Sequence, residues 1–450
     1  MEAMSNFLLR IFRLQPGEGM LVFALGFLLF SNSLARQVSG IVAVSGFLNS
    51  SNVNEMLLVL LVDYTLILIV AGLQSLIVDR FNRIRLMAGI TLTFAAVFVA
   101  LRLMFVYSDL GWLNYSAMYL IAEQQLVLFP ITFWVLANDV FSFSQAQRLI
   151  PLIASWSFVG KLAGIGVAGI SPAIFASIGA ENEDILLFNA LLYFIGYVLV
   201  LVGLRNITLR RTVQKTETMR EAFSEGWGFV SEVPAFRYLM IAILGLAIAD
   251  TIIEFRFLVI TDQIFVGQSA YQSFYSLYRL AATLISFFMQ TFLTSRLIRS
   301  MQLKNVFYFF PVMAALASGS MLLSGGAIAA VAGMLTVKLM RETVDDSARK
   351  SFQALVPEER RGRVSTFNDS YLPSIGTILA CLVTGAIVLI GLWLDRDLHL
   401  AYMAVALVAS IIAVWATSRM VATYDTSMLN WRLKRRQRVS DSILGKLEGL

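Results

Sequence analysis

The feature that most constrains this sequence is a series of twelve apolar stretches, each long enough to cross a lipid bilayer as a helix. A membrane-spanning helix needs roughly 20 apolar residues. Only 14% of the 450 residues are charged and 58% are hydrophobic, whereas soluble domains carry about 25% charged residues. We therefore predict an all-α integral membrane protein of twelve transmembrane helices. The stretches lie at roughly 19–48, 54–78, 85–107, 113–138, 149–178, 184–204, 236–260, 270–295, 304–323, 326–348, 364–392 and 399–423.

The distribution of arginine and lysine sets the orientation of the chain. If the N-terminus is inside, the cytoplasmic segments hold 27 of the 35 cations, and the opposite loops hold only Arg396. Cytoplasmic loops of membrane proteins are enriched in these cations. The pattern predicts a multi-pass protein of the cell inner (plasma) membrane with both termini in the cytoplasm. Because the cations are spread over seven short segments, they indicate contact with anionic lipid and not with nucleic acid.

A polar segment between the sixth and seventh stretches divides the chain into two halves. We predict an N-terminal six-helix bundle at 1–204, a cytoplasmic linker at 205–235, a C-terminal six-helix bundle at 236–425 and a basic cytoplasmic tail at 426–450. The tail could lead into a further cytoplasmic domain.

The two halves show signs of an internal repeat. Asp63 and Arg279 each lie 17 residues before the arginine, Arg80 or Arg296, that follows their stretch. Two related six-helix halves resemble the layout of major facilitator transporters, whose two bundles rock around a central site. The same superfamily carries a short signature after its second span, which resembles the loop Asp79-Arg80-Phe81-Asn82-Arg83-Ile84-Arg85.

Seven cations lie inside the predicted spans, accompanied by acidic residues. A cation at the bilayer centre costs about 3 kcal/mol or more, so these groups must line a polar cavity, pair with one another or reach a helix end. The cations are Arg36, Arg102, Lys161, Arg256, Arg279, Lys338 and Arg341; the acids are Asp63, Glu123, Asp250, Glu254, Glu342 and Asp369.

We divide these residues by their expected depth. The candidates for substrate binding are Arg36, Glu123, Glu254, Arg256, Arg279 and Lys161, each of which could instead form a static pair between helices. The candidates for gating or ion pairing are Asp63, Lys338, Arg341, Glu342, Asp345 and Asp346. Arg102 is near the outer end of the third span, where its long side chain can reach the membrane surface.

The arginines favour an anionic substrate. A guanidinium group presents a planar fork of donors that suits phosphate or carboxylate. Several aromatic residues share these spans and either stack on a base or pack in the core; they are Phe133, Trp134, Tyr275 and Tyr278.

Several function classes are excluded by residues that the chain lacks. Cys381 is its single cysteine and His399 its single histidine, so a zinc site or a Ser-His-Asp triad is not expected. The chain has no phosphate loop of the GxxxxGK[ST] type, which argues against ATP-driven pumping. We predict neither an enzyme, nor a metal site, nor a bound cofactor.

One block of the fourth span and the following loop resembles a known family. The residues Ala122-Glu123, Phe133-Trp134-Val135-Leu136-Ala137-Asn138 and Gln145-Ala146-Gln147-Arg148-Leu149-Ile150-Pro151-Leu152 are similar to the corresponding block of the bacterial and plastid ATP/ADP translocases. Weaker similarity is found at Leu34-Ala35-Arg36-Gln37 and at Ile253-Glu254.

This resemblance implies exchange of ATP and ADP, with Arg36, Glu123 and Glu254 as cavity residues for the nucleotide. Two lysines of the family, thought to meet phosphates, correspond to Ser39 and to about Ala348 here. The chain thus resembles a divergent member. We hypothesise a secondary transporter that moves an organic anion, foremost a nucleotide, by alternating access. The alternatives are a transporter of another anion, such as a phosphorylated metabolite or a lysophospholipid, and a membrane sensor or scaffold that does not transport.

Overall fold

The protein is helical throughout the part of the chain that the structure describes. The computed structural model describes residues 15, 18–78, 82–205, 219–353, 356 and 358–447, and these ranges contain no β-strand. Residues 79–81 of the signature-like loop and residues 206–218 of the predicted linker lie outside the described residues. The predicted all-α architecture is confirmed.

Twelve helices of 13 to 49 residues in the described residues follow the twelve predicted stretches. They are α1 Gly19–Ser50, α2 Met56–Val78, α3 Arg83–Tyr107, α4 Gly111–Val140, α5 Phe143–Ile178, α6 Ile185–Gly203, α7 Pro234–Ile264, α8 Gln268–Phe288, α9 Phe309–Ser324, α10 Ala327–Leu339, α11 Leu372–Leu394 and α12 His399–Leu447. Ten helices of the described chain are long and apolar enough to cross a membrane. The other two follow the predicted seventh and tenth stretches, and α7 alone has 31 residues, about 46 Å at 1.5 Å per residue.

Shorter elements connect these helices. One helix, Met219–Glu232, precedes α7. The other short helices are Ser295–Met301, Leu303–Val306, Asp346–Gln353 and Glu358–Thr366, and short 3₁₀ turns form at Val53–Glu55 and Asn182–Asp184. Three π-helical turns, Met289–Thr294, Met340–Asp345 and Phe367–Tyr371, continue or precede α8, α10 and α11.

Two helix starts are specified by local sequence. The Asn82 side chain accepts hydrogen bonds from the backbone N–H groups of Ile84 and Arg85 and so caps α3. Ser142 and Gln145 form a reciprocal capping box at the start of α5. Such caps satisfy N–H groups that have no partner inside the helix, which explains why the helices begin where polar residues interrupt the apolar sequence.

The chain folds as two compact units. The first comprises Met1–Thr218 together with Thr261–Thr283, and the second comprises Met219–Ile260 together with Leu284–Leu450. The first unit thus holds α1 to α6 and most of α8. The second holds most of α7 and the helices from α9 to α12. The division into bundles at 1–204 and 236–425 stays a prediction from the sequence.

Glycines let α1 and α5 cross closely in the first unit. A Cβ atom at Gly160 would lie 2.4 Å from the carbonyl oxygen of Phe30, and one at Gly164 would lie 2.6 Å from that of Leu34. Small residues at four-residue spacing are a common device for close helix packing in membranes. This crossing fixes the position of α1, whose middle carries the charged residues described below.

An aromatic cluster organises the second unit. The Phe236 and Phe352 rings lie 4.5 Å apart, and Phe229, Phe307 and Tyr424 surround them. The cluster joins helix Met219–Glu232 to α7, α12 and the connection that follows α10. Each ring adds a large buried apolar area, so this cluster is the aromatic core of the unit.

The crossing of α1 and α5 predicts unequal effects of two glycine substitutions. We expect Gly160→Ala to lower the free energy of unfolding by about 1–3 kcal/mol, because the new methyl group meets backbone that cannot move aside without shifting α1. Thermal unfolding of the purified protein in detergent measures this loss.

Gly166→Ala is the matched control on the same helix. No atom lies within 4 Å of a Cβ atom at Gly166, so its melting temperature should not fall. Equal losses at both positions would show that the crossing has no special role.

Candidate functional site

Two of the predicted site residues form an ion pair at the centre of the first unit. The Arg36 Nη2 atom of α1 donates to both carboxylate oxygens of Glu123 on α4, at 3.0 and 3.3 Å. Both side chains are 20% exposed. The pair therefore neutralises two charges inside the membrane while each group keeps some access to solvent or ligand.

A second carboxyl group lies beside this pair. Asp63 of α2 is only 1% exposed, and its Oδ1 atom accepts a hydrogen bond of 3.2 Å from the Gln124 amide. Both Glu123 and Arg36 act on it electrostatically. The cluster thus draws on three helices, and Asp63, a predicted gating or ion-pair residue, lies beside the Arg36–Glu123 pair.

Arg279 of α8 reaches the same region of α1. Its Nη2 atom donates to the Gln37 side chain at 2.8 Å, and its Nη1 atom donates to the Tyr275 hydroxyl at 3.3 Å. The guanidinium carbon also lies 5.6 Å from the centre of the Tyr275 ring, within the range of a cation–π contact. Arg36 belongs to α1, and Arg279, far away in sequence, donates to the next residue of that helix.

The aromatic candidates separate into two groups. Phe133 is fully buried and stacks on Phe129, so it belongs to the core of the first unit. Tyr275 and Tyr278 stack on each other with ring centres 6.2 Å apart, and both are 6% exposed. Their position beside Arg279 keeps them candidates for contact with a ligand.

Lys161 lies next to the crossing of α1 and α5. It follows Gly160, which touches the Phe30 backbone, and its side chain is partly exposed. The close approach of the two helices therefore determines how far the Lys161 amine lies from α1.

Arg256 and Glu254 lie on α7 in the second unit. The Arg256 Nη1 atom lies 3.3 Å from the Tyr402 hydroxyl near the start of α12. Burial raises the pKa of Asp397 in the preceding loop, but hydrogen bonds from His399 and the charges of His399 and Arg256 outweigh it and hold the pKa below its usual value. Arg256 is thus tied to the connection between α11 and α12. Glu254 lies close enough to Cys381 of α11 to interact with it electrostatically.

The predicted gating residues of the second unit take part in several ion pairs. Arg341, in the π-helical turn after α10, forms an ion pair with Asp250 of α7. Asp345 pairs with Arg349 at 2.9 Å and Asp346 pairs with Lys350 at 2.6 Å, each one helical turn further along the chain. Lys338 and Glu342 flank this region with partly exposed side chains.

Arg102 makes a structural contact at the end of the first unit that carries the connection between α5 and α6. Its guanidinium group bonds to Asp184 at 2.7 Å and to Glu181 at 2.8 Å, both in the connection between α5 and α6. This contact matches the expected position of Arg102 near a membrane surface. Among the residues that the structure describes, no group of three or more His, Cys, Asp or Glu side chains is arranged to hold a metal ion.

Charge alone could not identify several neutral members of these clusters. Three neutral side chains form hydrogen bonds with charged candidates: Gln37 with Arg279, Gln124 with Asp63, and Tyr402 with Arg256. Gln37 and Gln124 each follow a charged candidate in the sequence, Arg36 and Glu123, whereas Tyr402 does not. The contact of Gln37 spans 242 residues of sequence and has no local pattern.

Comparison with solved structures identifies the fold. The nucleoside transporter NupG, in a mutant form, matches with a TM-score of 0.60 and 16% identity, over 90% of this chain and all of that one. A peptide transporter of the POT family gives 0.62 and 11% over 89% and 96%. A bacterial homologue of the iron transporter ferroportin, in an inward-facing state, gives 0.62 and 12% over 91% and 100%.

No protein-family model matches the sequence, and no curated protein matches it by sequence comparison. The structural matches establish the fold on their own. The chain has a major facilitator-like fold of twelve helices and is a multi-pass membrane protein.

The Arg36–Glu123 pair predicts a measurable coupling energy. We expect Arg36→Gln and Glu123→Gln each to lower the free energy of unfolding by about 1–3 kcal/mol, because each leaves a charge in the membrane without its partner. The double variant should lose less than the sum, by about 0.5–3 kcal/mol. Thermal or denaturant unfolding of the four proteins measures the cycle.

Lys304→Gln is the control for loss of a surface pair. Its partner Asp425 is 72% exposed, so its effect should stay within about 0.5 kcal/mol. Strict additivity of the Arg36 and Glu123 variants would mean that the two groups do not interact.

Proposed function

We propose that this protein is a secondary transporter that carries an organic anion, foremost a nucleotide, across the inner membrane by alternating access. The observation that carries the proposal is that Arg279 donates to Gln37, the residue that follows Arg36 on α1, so that two arginines lie at one level of this helix. Each guanidinium group offers a planar set of donors that matches a phosphate or a carboxylate. Two such groups at the middle of a membrane helix provide a binding site for a multiply charged anion.

The partners of these arginines suit reversible binding. Glu123 pairs with Arg36, and an incoming phosphate can replace that carboxylate without leaving the arginine unpaired. Gln37 and Tyr275 orient Arg279 through neutral groups, so they hold the side chain in place without cancelling its charge. We assign anion binding to Arg36 and Arg279, and charge compensation to Glu123 and Asp63.

The remaining candidates receive secondary roles in this proposal. Arg256 contacts Tyr402 and lies near Asp397, which favours a structural role at the outer end of the second unit. Lys161 and Glu254 remain candidates for substrate contact. The other charged residues of the second unit are assigned to its stability or gating. They are Arg341 and its partner Asp250, Asp345 and Asp346 with their pairs, Lys338 and Glu342.

The choice of a nucleotide rests on the sequence block of α4 that resembles the ATP/ADP translocases. Arg36 and Glu123, which that resemblance marks as cavity residues, are bonded to each other. The tyrosines beside Arg279 could stack on a base. Exchange of ATP for ADP is therefore the first activity to test. In this proposal both termini lie in the cytoplasm, as the distribution of cations predicts.

The test is uptake of labelled ATP into proteoliposomes loaded with ADP. We expect uptake by the wild-type protein and a loss of at least about tenfold in Arg36→Ala and in Arg279→Lys, since a charge-assisted contact contributes about 1.5–3 kcal/mol. Arg279→Lys keeps the charge but removes the planar fork, so it tests recognition by geometry. Lys304→Gln is the control for removal of a cation outside the site.

Three results would distinguish the alternatives. Uptake that is inhibited better by other phosphorylated metabolites or by lysophospholipids in a competition panel would replace the nucleotide with that anion. Nucleotide binding without flux would favour a sensor or scaffold. Absence of both binding and uptake in well-folded wild-type protein would reject the nucleotide assignment.

A further inference from the structure

The first half of α8 packs lengthwise against α1. Gln272 contacts Ser45 at 3.3 Å, and Arg279 contacts Gln37 at 2.8 Å. Moving seven residues forward along α8 thus corresponds to moving eight residues back along α1, as expected for two antiparallel helices. The contacts run from the anion-binding residues toward the end of the helices that carries the connection between α5 and α6. We call this the outer end.

Gln272 is the centre of these contacts. Its side chain is fully buried. The amide nitrogen donates to the Ala168 carbonyl at 2.7 Å and to the Ser171 hydroxyl at 3.0 Å. The amide oxygen accepts from Asn182 at 2.8 Å and lies 3.3 Å from the Ser45 hydroxyl. Both donors and both acceptor positions of the amide are therefore used, which joins α8 to α1, α5 and the turn after α5.

A second glutamine fixes the beginning of α8. The Gln268 amide nitrogen donates to the Tyr115 hydroxyl at 3.1 Å and to the Glu183 carboxylate at 3.0 Å. Tyr115 of α4 also donates to Glu183. We refer to Gln268 and Gln272, with these partners, as the α8 lock.

The helices also meet closely between the lock and Arg279. A Cβ atom at Gly169 of α5 would lie 3.2 Å from the Cβ atom of Ser276. No bulky side chain separates α5 from α8 at this level. The first half of α8 therefore packs directly against α1, α4 and α5 between the outer end of the first unit and the level of Arg279.

We propose that the α8 lock is the outer gate of the transport pathway and that it is closed in this structure. This inference rests on the proposed transport function. When the gate opens, the first half of α8 leaves α1, α4 and α5, and water replaces the hydrogen bonds of the two glutamines. A permanent contact between membrane helices can be apolar. A surface that is buried against protein in one state and exposed to water in the other needs groups that form hydrogen bonds in both states. Amides and hydroxyls meet that requirement.

A disulfide across the close contact tests the gate directly. In a Cys381→Ala background, Gly169→Cys and Ser276→Cys place two Cβ atoms near the separation of about 3.8 Å found in disulfides. We expect oxidation to abolish flux in the crosslinked fraction and reduction to restore it. The reduced form is the internal control for folding.

A matched disulfide elsewhere separates gating from mere crosslinking. A Cβ atom at Gly333 of α10 would lie 3.4 Å from the Cβ atom of Ala317 on α9. These consecutive helices of the second unit lie outside the proposed gate. Gly333→Cys with Ala317→Cys should therefore crosslink in the same background without loss of flux.

Labelling by a membrane-impermeant maleimide tests the gate without any knowledge of the cargo. With Gln268→Cys in the Cys381→Ala background, which keeps the Gln272 hydrogen bonds, we expect slow labelling from the outer side, because the position becomes exposed whenever the gate opens. Adding Ser171→Ala and Asn182→Ala should raise the labelling rate of Gln268→Cys by roughly fivefold or more, since each lost hydrogen bond shifts an equilibrium severalfold. Ser318→Cys, fully buried in the second unit, is the unlabelled control.

The two readouts have distinct meanings. Full flux in the oxidised Gly169–Ser276 variant, or no labelling at position 268 in native membranes, would overturn the gate. Labelling as expected without nucleotide flux would keep the gate and reject the nucleotide assignment.

Discussion

The structure depends above all on the absence of water in the hydrocarbon core of the membrane. A charge placed there costs about 3 kcal/mol or more, so every polar cluster in the spans must be satisfied by another part of the protein. The Arg36–Glu123 and Arg341–Asp250 pairs show how each unit meets this requirement across helices. The same requirement gathers polar groups at the middle of α1, where a charged substrate could exchange with them. The residues that stabilise each unit are therefore also those to which we assign substrate binding in the proposed function.

Much of the fold was predictable because the thickness of the bilayer fixes the length of a spanning helix. Each predicted stretch corresponds to a long helix, and polar caps such as Asn82 and Ser142 mark two of the helix starts. The end of α12 was not predictable from hydrophobicity. The apolar stretch ends near residue 423, but the helix continues to Leu447, since backbone hydrogen bonds persist where the side chains turn polar.

The site was predictable residue by residue but not as a set of contacts. Arg36, Glu123 and Arg279 stand out in the sequence because a charged residue in an apolar stretch is costly unless it has a partner or lines a polar cavity. Their neighbours Gln37 and Gln272 are neutral, and hydropathy does not separate a hydrogen-bonded glutamine from any other. Asp345 and Asp346 each pair with a cation four residues later, and Arg341 also acts electrostatically on Asp345. Such neighbours on one helix face meet without any tertiary contact.

The π-helical turns at Met340–Asp345 and Phe367–Tyr371 have a consequence for comparing this chain with its relatives. A π-helical turn accommodates one additional residue in an otherwise regular helix, and one residue corresponds to about 100° of rotation in an α-helix. A relative that lacks a single residue there would keep the same helix with a regular ladder. A one-residue gap after α10 or before α11 in an alignment would then mark the replacement of a π-helical turn by regular α-helix. The residues on either side of the gap would still occupy equivalent positions in the two structures.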